Sequence, residues 1–538
     1  MRRLTSPPGR AARPAVLLLA LAAASTTLAA CSGGDDGGTG PASYATDGTF
    51  TLAVATDPGA LDPHASAASA VVTMSRFAYD SLVGVDADSA EIVPSLATEW
   101  TVAGTTATFT LRDDVTCSDG EPFTAQTAAA NITYVADPAN ESPYLGAYLP
   151  AGVTASADGD TLTLELAAPA PFLLEGLSNL AMVCDAGLAD RDLLAAATAG
   201  TGPFVLQEAV PDDHYTYTVR EGYVWGPDGA GTVEPGTPAT VSVRVVANET
   251  TVANLLLSGE VNAAQVIGPD TERLDAAGLY TVESASVLGE QWYNHAEGHV
   301  TADPAVRAAL AQALDLDELG QVLTSGKGGP PTTLATVSPA ACTGDSITAA
   351  LPDHDPAAAA ATLDAAGWTL GADGVRAKDG EPLTVTFLHD TGLGTGGGSA
   401  AELATAAWTE LGVDVQVSGK NTTELSEILF GSGAWDVAWE PINVNSPDQL
   451  VGFLSGPAIA DGGSNFAAID NAEYADAVER ATAMQGTEGC DTWLAAETAL
   501  IEETNLTAFA NSVVTVYGSG AEFLSNGSIV PTSVRVLG

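Results

Sequence analysis

The strongest constraint on the fold is a regular alternation of strand-like and helix-like segments in the second half of the chain. Residues 241–246 and 262–266 are apolar and β-branched, and residues 249–257 between them have helical spacing. Residues 383–388 and 400–411 begin a second unit of the same kind. Because helices must cover the faces of each sheet, this order predicts a mixed α/β fold with more than one sheet.

The rest of the chain carries the same two patterns. Alternating apolar residues predict strands, and apolar residues three or four positions apart predict helices. The predicted strands are 49–55, 108–111, 161–166, 204–210, 215–221, 413–417, 435–439 and 513–517. The predicted helices are 65–83, 122–135, 171–180, 305–323, 355–367, 421–430 and 471–503, and the runs 224–240 and 391–399 are expected to be loops.

The first thirty residues have the layout of a secretory signal. Four arginines precede an apolar run at 15–21, and small residues continue to Ala30. The run is too short for a stable spanning helix, which needs ~20 apolar residues. Leu28-Ala29-Ala30-Cys31 resembles the lipobox of bacterial lipoproteins, which implies that Cys31 is acylated and becomes the mature N-terminus. The alternative is an ordinary secreted protein cut near Ala30, and Arg2-Arg3 leaves a twin-arginine export route open.

A tether follows the signal. Residues 32–47 are rich in Gly, Ser, Thr and Asp and contain almost nothing to bury, which predicts a flexible spacer with a reach of ~20–25 Å. We therefore expect an exported protein that is held on the outer face of the cell membrane by acylated Cys31 and the tether 31–47. The lipid anchor is its only expected contact with the membrane.

The chain is strongly acidic. Its 538 residues carry a formal charge of −51, and removal of residues 1–30 leaves 13 basic and 68 acidic residues, a charge of −55. Nucleic acids and anionic lipids bind to basic surfaces, so both are excluded as partners. The charge is best explained as a device for solubility or tolerance of salt, and we expect a monomer.

Four cysteines remain besides Cys31. They are Cys117, Cys184, Cys342 and Cys490. No two of them are spaced as a CxxC motif, which disfavours a structural zinc site. Outside the cytoplasm such cysteines favour two disulfides. Proximity in sequence favours Cys117–Cys184 and Cys342–Cys490 among three possible pairings, and four buried free thiols are the alternative.

Signatures of catalysis are absent or weak. Neither GxSxG nor HExxH occurs. His295 and His299 are four residues apart, but the glycine between them and the polar flanks indicate a loop rather than a metal site. Gly392, Gly394 and Gly397 match the dinucleotide pattern, but the run around them has the composition of a surface loop. We therefore expect no catalytic residue, no cofactor and no bound metal.

Eight short segments follow one another in a characteristic order and spacing. They are FAYDSLV at 77–83, IVPSLATEW at 92–100, FTLRDDV at 109–115, SDGEPFTA at 118–125, GTGPF at 200–204, LSGEVN at 257–262, DPAVRAALAQALD at 303–315 and AAGW at 365–368. The series resembles family 5 of the extracellular solute-binding proteins, which serve peptide- and nickel-type ABC importers. Cys117-Ser118 replaces an aromatic residue and a histidine of the family pattern, which fits a disulfide specific to this branch.

The resemblance implies a two-lobed fold of the periplasmic-binding-protein type, class II, with three domains and a hinge of two chain crossovers. Domain I would comprise 48–81, 200–286 and 510–538. Domain II would be the insert 82–199, and domain III would be 287–509. Closure of such lobes around a ligand is the signal that a membrane permease reads, and it requires no catalysis.

The resemblance also implies ligand contacts in domain III. Peptide-binding members hold the peptide's amino group with an aspartate four residues before a proline, and the equivalent position before Pro447 is Asn443. A neutral amide cannot neutralise an ammonium, so Asn443 disfavours a plain peptide. Glu440 could supply the missing charge and Trp439 could stack on the ligand, and Asn445 belongs to the same candidate set. Core packing of Trp439 and a solvated Glu440 are the alternatives.

Other candidate contacts lie elsewhere in the chain. Trp292 and Asn294 stand where domain III begins and where family members contact their ligands. Residues 57–64 correspond to a loop that lines the cleft, although His64 by itself is typical of a structural turn residue. These expectations imply that Trp439→Ala weakens ligand binding more than it weakens folding.

Together these features predict a lipoprotein that captures a small organic solute, peptide or peptide-like, and delivers it to the permease subunits of an ABC importer. An oligosaccharide or metal chelate as cargo, and a surface sensor without transport, stay open as alternatives. An exported hydrolase is disfavoured.

Overall fold

The computed structural model describes residues 43–86, 89, 91–266 and 270–538. The predicted signal, Cys31 and residues 31–42 of the tether lie outside these residues. The last part of the predicted tether is attached to the C-terminus: the amide of Ala45 donates to the carbonyl of Val536 at 2.9 Å, and Tyr44 forms a β-bridge with Leu537. Among the described residues, no helix combines the length and the apolar character that a membrane crossing requires.

Strands and helices alternate along most of the described chain. The strands are β1 Thr49–Val54, β2 Val83–Val85, β3 Ile92–Pro94, β4 Ala97–Ala103, β5 Thr106–Leu111, β6 Thr154–Asp158, β7 Thr161–Glu165, β8 Phe204–Val210, β9 His214–Val219, β10 Thr240–Val245, β11 Ala263–Val266, β12 Tyr280–Tyr293, β13 Thr369–Leu370, β14 Arg376–Lys378, β15 Glu381–Pro382, β16 Thr384–Asp390, β17 Asp414–Lys420, β18 Val437–Trp439, β19 Leu506–Gly518, β20 Ala521–Glu522 and β21 Arg535–Val536. The helices are α1 Ser69–Ala78, α2 Ala125–Ala136, α3 Leu173–Ser178, α4 Asp185–Ala189, α5 Glu249–Ser258, α6 Thr271–Ala277, α7 Pro304–Gln312, α8 Leu316–Leu323, α9 Pro356–Ala365, α10 Gly394–Leu411, α11 Thr422–Glu427, α12 Val451–Leu454, α13 Ala472–Thr482 and α14 Cys490–Glu502.

A mixed sheet of ten strands connects the two halves of the molecule, in the order β17-β16-β18-β12-β19-β11-β1-β10-β9-β8. Strand β1 runs parallel to its neighbours β10 and β11 towards one end of the sheet, and β16 runs parallel to its neighbours β17 and β18 at the other. The long antiparallel pair β12 and β19 joins the two ends. A separate antiparallel sheet, β4-β5-β7-β6, lies within the insert 82–199.

The hydrophobic cores divide the molecule into two lobes. One lobe (residues 43–286 and 510–538) holds a core built around Phe50, Phe77, Phe109 and Tyr217. The other lobe (residues 287–509) buries both faces of β16–β18, one under α7–α10 and the other under α11, α13 and α14. The mixed α/β, two-lobed fold is confirmed. The finer division into domains I, II and III stays a prediction, because one continuous core spans parts of predicted domains I and II.

The crossover between the lobes is thin. At its middle, Ser286 pairs with Ser512 and their hydroxyl oxygens are 3.1 Å apart. The pairing shifts register between Val287 and Glu290, which marks a bulge, and bulges bend a strand and increase its twist. A Cβ atom on Gly289 would approach the ring of Phe509 to 2.6 Å, so the bulge requires glycine there. Two strands with such a bulge form a hinge.

Most predicted elements are confirmed, and the errors have local causes. The glycine-rich run 391–399, predicted as a loop, is largely the first turns of α10, because that helix packs against β16 and β17 through its apolar face. The predicted helix 305–323 is two helices, since Asp315 caps a new helix by accepting a hydrogen bond from the amide of Glu318. The predicted helix 65–83 is limited to α1, and 471–503 contains two helices.

The structure contains both disulfides that sequence proximity favours. Cys117 is bonded to Cys184 within the first lobe, and Cys342 is bonded to Cys490 within the second. The second bond lies at the surface where the lobes meet, because Cys342 packs with Phe172 of the first lobe and Trp493 of the second. It therefore supports the segment against which the first lobe closes.

Candidate ligand-binding site

The two lobes touch along a seam. The side-chain amide of Gln449 donates to the carbonyl of Ala147 at 3.1 Å, and the backbone amide of Gly486 donates to the carbonyl of Pro171 at 2.9 Å. The rings of Phe172 in the first lobe and Trp493 in the second also meet here, with their centres 6.0 Å apart. The lobes are therefore closed on each other in this structure.

Three pockets follow this seam. Two have walls from both lobes: one borders Tyr148 and Gln449, and one borders Glu175 and Gly486. The third lies inside the first lobe and is bordered by Pro339 of the second. Ligand pockets typically place a few polar groups among largely apolar walls, and in the third pocket a charged side chain lies among tyrosines, prolines and valines.

Arg76, near the end of α1, supplies the positive charge of this third pocket, which we call the Arg76 pocket. Its guanidinium donates to the side-chain oxygens of Asn526 at 3.1 Å and Asn179 at 3.3 Å. Tyr144 and Tyr148 form an aromatic wall with ring centres 5.6 Å apart. Burial lowers the pKa of Arg76 from its usual value.

Asp80 also borders the Arg76 pocket, but its carboxylate is fully engaged with the protein. It accepts hydrogen bonds from the hydroxyls of Tyr223 at 2.6 Å and Thr201 at 2.8 Å, and from the indole N–H of Trp225 at 3.2 Å. Burial raises the pKa of Asp80, and these three donors oppose that shift. Asp80 thus fixes the floor of the pocket by joining residues 79–83 to 200–225.

An acidic pair lies on the seam itself. Burial, together with the charge of Asp448 in the opposite lobe, raises the pKa of Glu175 to about 7. Burial also raises the pKa of Asp448. A Cβ atom added to Gly486 of the second lobe would lie 3.6 Å from Oε1 of Glu175, so the backbone of this segment lies close to the carboxylate. Closure therefore removes carboxyl groups of both lobes from water.

Trp439, predicted to stack on the ligand, lies in the core of the second lobe. Its side chain is 0 % exposed and packs against Phe387 and Phe509, with ring centres 5.0 and 5.2 Å away. The indole N–H donates to the side-chain oxygen of Gln291 at 2.9 Å. Of the two interpretations made from the sequence, this placement matches core packing.

Trp292 and Asn294 are also buried. Trp292 packs on Phe466 and donates to the carbonyl of Glu440 at 2.9 Å. The amide of Asn294 donates to the carbonyl of Trp435 at 3.0 Å. Both side chains are therefore occupied in holding β12 to the segment 433–440.

His64 is buried at a turn. Its Nε2 lies 2.7 Å from the carbonyl oxygen of Ala181, and burial lowers the pKa of the imidazole to about 4. The ring is therefore neutral at physiological pH and donates from Nε2 to this carbonyl. This is the structural role that the sequence favoured, while its neighbour Pro63 borders the Arg76 pocket.

Asn443 holds the hinge. Its side-chain oxygen accepts from the amide of Val287 at 2.8 Å, and its side-chain nitrogen donates to the carbonyl of the same residue at 3.0 Å. Val287 is the residue at which the bulge of β12 begins. The backbone of Asn445 bridges Ala341 and Gln449, close to the seam.

Glu440 is half-buried beside a second carboxyl group. Burial raises its pKa to about 7, and among the described residues none hydrogen-bonds its buried Oε2. Glu290 is fully buried with its pKa raised to about 8, and it accepts from the backbone amide of Ile442 at 2.8 Å. None of the seven predicted contact residues borders the three seam pockets.

The histidine pair that the sequence disfavoured as a metal site is used within the protein. His295 lies 3.1 Å from the carbonyl of Asn505, and His299 lies 2.9 Å from the carboxylate of Asp436. In the part of the chain that the structure describes, no group of three or more His, Cys, Asp or Glu side chains is placed to hold a metal ion.

The sequence interpretation missed the Arg76 pocket. Arg76 directly precedes the segment 77–83, and it is one of only 17 basic residues in the chain. A basic residue beside such a segment in so acidic a chain was the available signal. Its partners at positions 179 and 526 could not be recognised before folding.

Comparisons with known proteins agree with this architecture. The profile of the bacterial extracellular solute-binding proteins, family 5 (middle region), matches residues 91–456. The chain is 27 % identical over 402 residues to the nickel-binding periplasmic protein of Escherichia coli (strain K12), covering 70 % of this chain and 72 % of that protein. It is 24 % identical over 407 residues to the oligopeptide-binding protein OppA of Mycobacterium bovis, covering 70 % of this chain and 64 % of that protein.

A solved structure shares the fold. The substrate-binding protein of Microbacterium hydrocarbonoxydans, crystallised with 4-hydroxybenzoate hydrazide, is 26 % identical, with a TM-score of 0.67 over 91 % of this chain and 100 % of that one. The profile match covers more than half of the chain, and the ordered segments, the hinge and the two lobes all agree with it. The chain belongs to family 5 of the bacterial extracellular solute-binding proteins, which serve ABC importers.

Proposed function

We propose that this protein captures a small organic solute, peptide or peptide-like, by closure of its two lobes and delivers it to the permease of an ABC importer. The observation that carries the proposal is the Arg76 pocket, which lies inside the first lobe and has Pro339 of the closed second lobe at its border. A hinge of two strands allows the lobes to separate, so a solute can enter the open form and be buried in the closed one.

We infer the chemical class of the solute from the pocket and not from any single relative. The E. coli relative is named for nickel and the mycobacterial relative for oligopeptides, while the Microbacterium structure holds an aromatic hydrazide. The tyrosine and proline walls of the Arg76 pocket favour an organic solute with an apolar body. Metal chelates and oligosaccharides stay alternative cargoes, and we propose binding without catalysis.

We also propose that the protein is a monomeric lipoprotein. An acylated Cys31 would hold it at the outer face of the membrane, where two or more acyl chains bind firmly. The tether would then keep the loaded protein close to the permease and raise its local concentration there. Glu440 and Asn445 stay proposed contacts for larger cargo, because the Oε2 atom of Glu440 is unpartnered within the described residues and Asn445 lies near the seam.

The function is tested by ligand capture and closure. The full protein, purified without denaturation, is examined by native mass spectrometry for a co-purifying solute. Small-angle X-ray scattering then compares the radius of gyration before and after that solute is removed. We expect one bound organic molecule per chain and a larger radius without it, because the open lobes separate. A protein that turns over the solute, or whose radius is unchanged by every solute tested, would contradict the proposal.

Closure is expected to weaken as the pH rises through 7. The closed form raises the pKa of Glu175 from 4.5 to about 7, so between these values it holds a proton that the open form releases. The closed-to-open ratio therefore falls by up to about tenfold per pH unit between these two values, and it levels off above pH 7, where Glu175 is ionised in both forms. Scattering at pH 6 and pH 8.5 measures the change.

Two variants test the role of Glu175 in this pH dependence. Glu175→Gln should close equally at both pH values, because it does not titrate. Glu121→Gln, an exposed glutamate of the same lobe, should behave like the unmodified protein. An unaltered pH response in Glu175→Gln would assign the effect to other groups.

A further inference from the structure

We propose that the Arg76 pocket selects solutes that carry a carboxylate on an apolar body and no adjacent ammonium group. The inference rests on the proposed function and narrows its cargo. The carboxylate would pair with the Arg76 guanidinium, and the body would lie against Tyr144 and Tyr148.

The first argument is that the charge of Arg76 is uncompensated. Among the described residues, no carboxylate lies within 4 Å of its guanidinium, and its two side-chain partners are the neutral amides of Asn179 and Asn526. Four other described arginines, Arg112, Arg191, Arg273 and Arg376, each pair with an aspartate, whereas Arg220 and Arg307 donate to backbone carbonyls and border none of the three seam pockets. In a chain with 68 acidic and 17 basic residues, an arginine that borders a pocket and lacks an acidic partner needs an explanation.

The second argument is that the guanidinium is held in place. The side-chain nitrogen of Asn179 donates to the carbonyl of Glu175 at 3.0 Å, which turns its oxygen towards Arg76. Asn526 is buried and presents its oxygen from the C-terminal segment. A guanidinium has five N–H donors, and these contacts leave donors for a bidentate carboxylate. Pre-positioning of this kind reduces the entropy that binding costs.

The third argument concerns what the pocket lacks. Arg76 and Asp80 are the charged residues among those that border it, and the Asp80 carboxylate is already bonded to Tyr223, Thr201 and Trp225. The described pocket therefore offers an ammonium group no free carboxylate. The remaining walls combine tyrosines, prolines and valines with uncharged polar side chains of serine, asparagine and threonine, and the tyrosine and proline rings suit a flat apolar body. A carboxylate on an aromatic ring, or the C-terminus of a short blocked peptide, satisfies both conditions.

The test is isothermal titration calorimetry on the full protein, freed of any co-purified solute. The probes are 4-hydroxybenzoate and phenylacetate with their primary amides, and N-acetylated dipeptides with a free or an amidated C-terminus. We expect the acids to bind about 10- to 100-fold tighter than their amides, which corresponds to hydrogen bonds to a charged group. The two acid series separate an aromatic acid from a peptide C-terminus as the source of the carboxylate.

Variants assign that preference to Arg76. Arg76→Gln should remove the preference for acids while binding the amides as before. Arg273→Gln changes the net charge equally at an exposed ion pair on α6 and should bind like the unmodified protein. Thermal melting of each variant verifies that it is folded. Equal affinity for acids and amides, or a preference that survives Arg76→Gln, would overturn the inference.

The outcome also separates this inference from the proposed function. If the protein closes on a neutral solute but binds none of the acids tested, the inference about selectivity is wrong and the proposed capture of a solute is retained. If it neither binds nor closes on any solute, the proposed function fails and the inference fails with it.

Discussion

Trp439→Ala is expected to lower the free energy of unfolding by about 3–5 kcal/mol, the usual cost of removing a buried tryptophan side chain. The ring is enclosed by Phe387, Phe509 and the helices above β18, so its removal leaves a cavity that the sheet cannot fill. It also leaves the side-chain oxygen of buried Gln291 without its donor. Urea unfolding followed by circular dichroism measures the loss.

A conservative variant separates packing from ligand binding. Trp439→Phe keeps most of the apolar volume and should cost less than Trp439→Ala, mainly the lost hydrogen bond to Gln291, about 1 kcal/mol. If the Trp439→Ala protein unfolds like the unmodified one but binds solute more weakly, Trp439 would have to be assigned to the ligand-binding cleft instead of the core. Our expectation from the sequence was that binding would suffer more than folding, and the observed burial reverses it.

Asp80→Ala is expected to destabilise the first lobe by about 3–5 kcal/mol, as the loss of one partner from a buried charged network does. The substitution leaves the hydroxyls of Tyr223 and Thr201 and the indole N–H of Trp225 buried without their acceptor. Each such donor costs about 1–3 kcal/mol, reduced where the site relaxes. The change is measured as the shift of the urea midpoint.

Two controls accompany Asp80→Ala. Asp113→Ala removes an exposed aspartate of the same lobe and should change stability by less than about 0.5 kcal/mol. Asp80→Asn retains one acceptor oxygen but presents N–H groups to N–H and O–H donors, so an intermediate loss is expected. If Asp80→Ala were as stable as Asp113→Ala, the hydrogen-bonded floor of the pocket would have no structural importance.

Trp439 shows why the site was harder to predict than the fold. Neighbouring residues of a strand point to opposite faces of the sheet, and Trp439 lies opposite Gln291 while Trp292 lies opposite Ala438. In this sheet helices cover both faces, so both tryptophans are buried on opposite sides. Sequence alone indicated two tryptophans near a cleft. The sequence could not show that helices already cover both faces of the sheet at these two positions.

Asn443 illustrates a different limit. Its spacing before Pro447 matched the position at which family members hold a ligand, and a side-chain amide suited that role. In the folded chain the same amide is used by the backbone of Val287, 156 positions earlier. A hydrogen bond across that separation depends on how β12 crosses between the lobes, which local patterns do not report.

The family, the order of strands and helices and the favoured disulfide pairs could be predicted from the sequence, because they depend on local periodicity, motif order and proximity along the chain. Which polar groups are free to meet a solute depends on the long-range packing of the folded chain. Asn443 is used by the hinge, Asp80 by its three donors, and Arg76 is held by Asn179 and Asn526 from 103 and 450 positions away. A polar side chain is available to bind a ligand only if the folded protein does not already use its hydrogen-bonding groups.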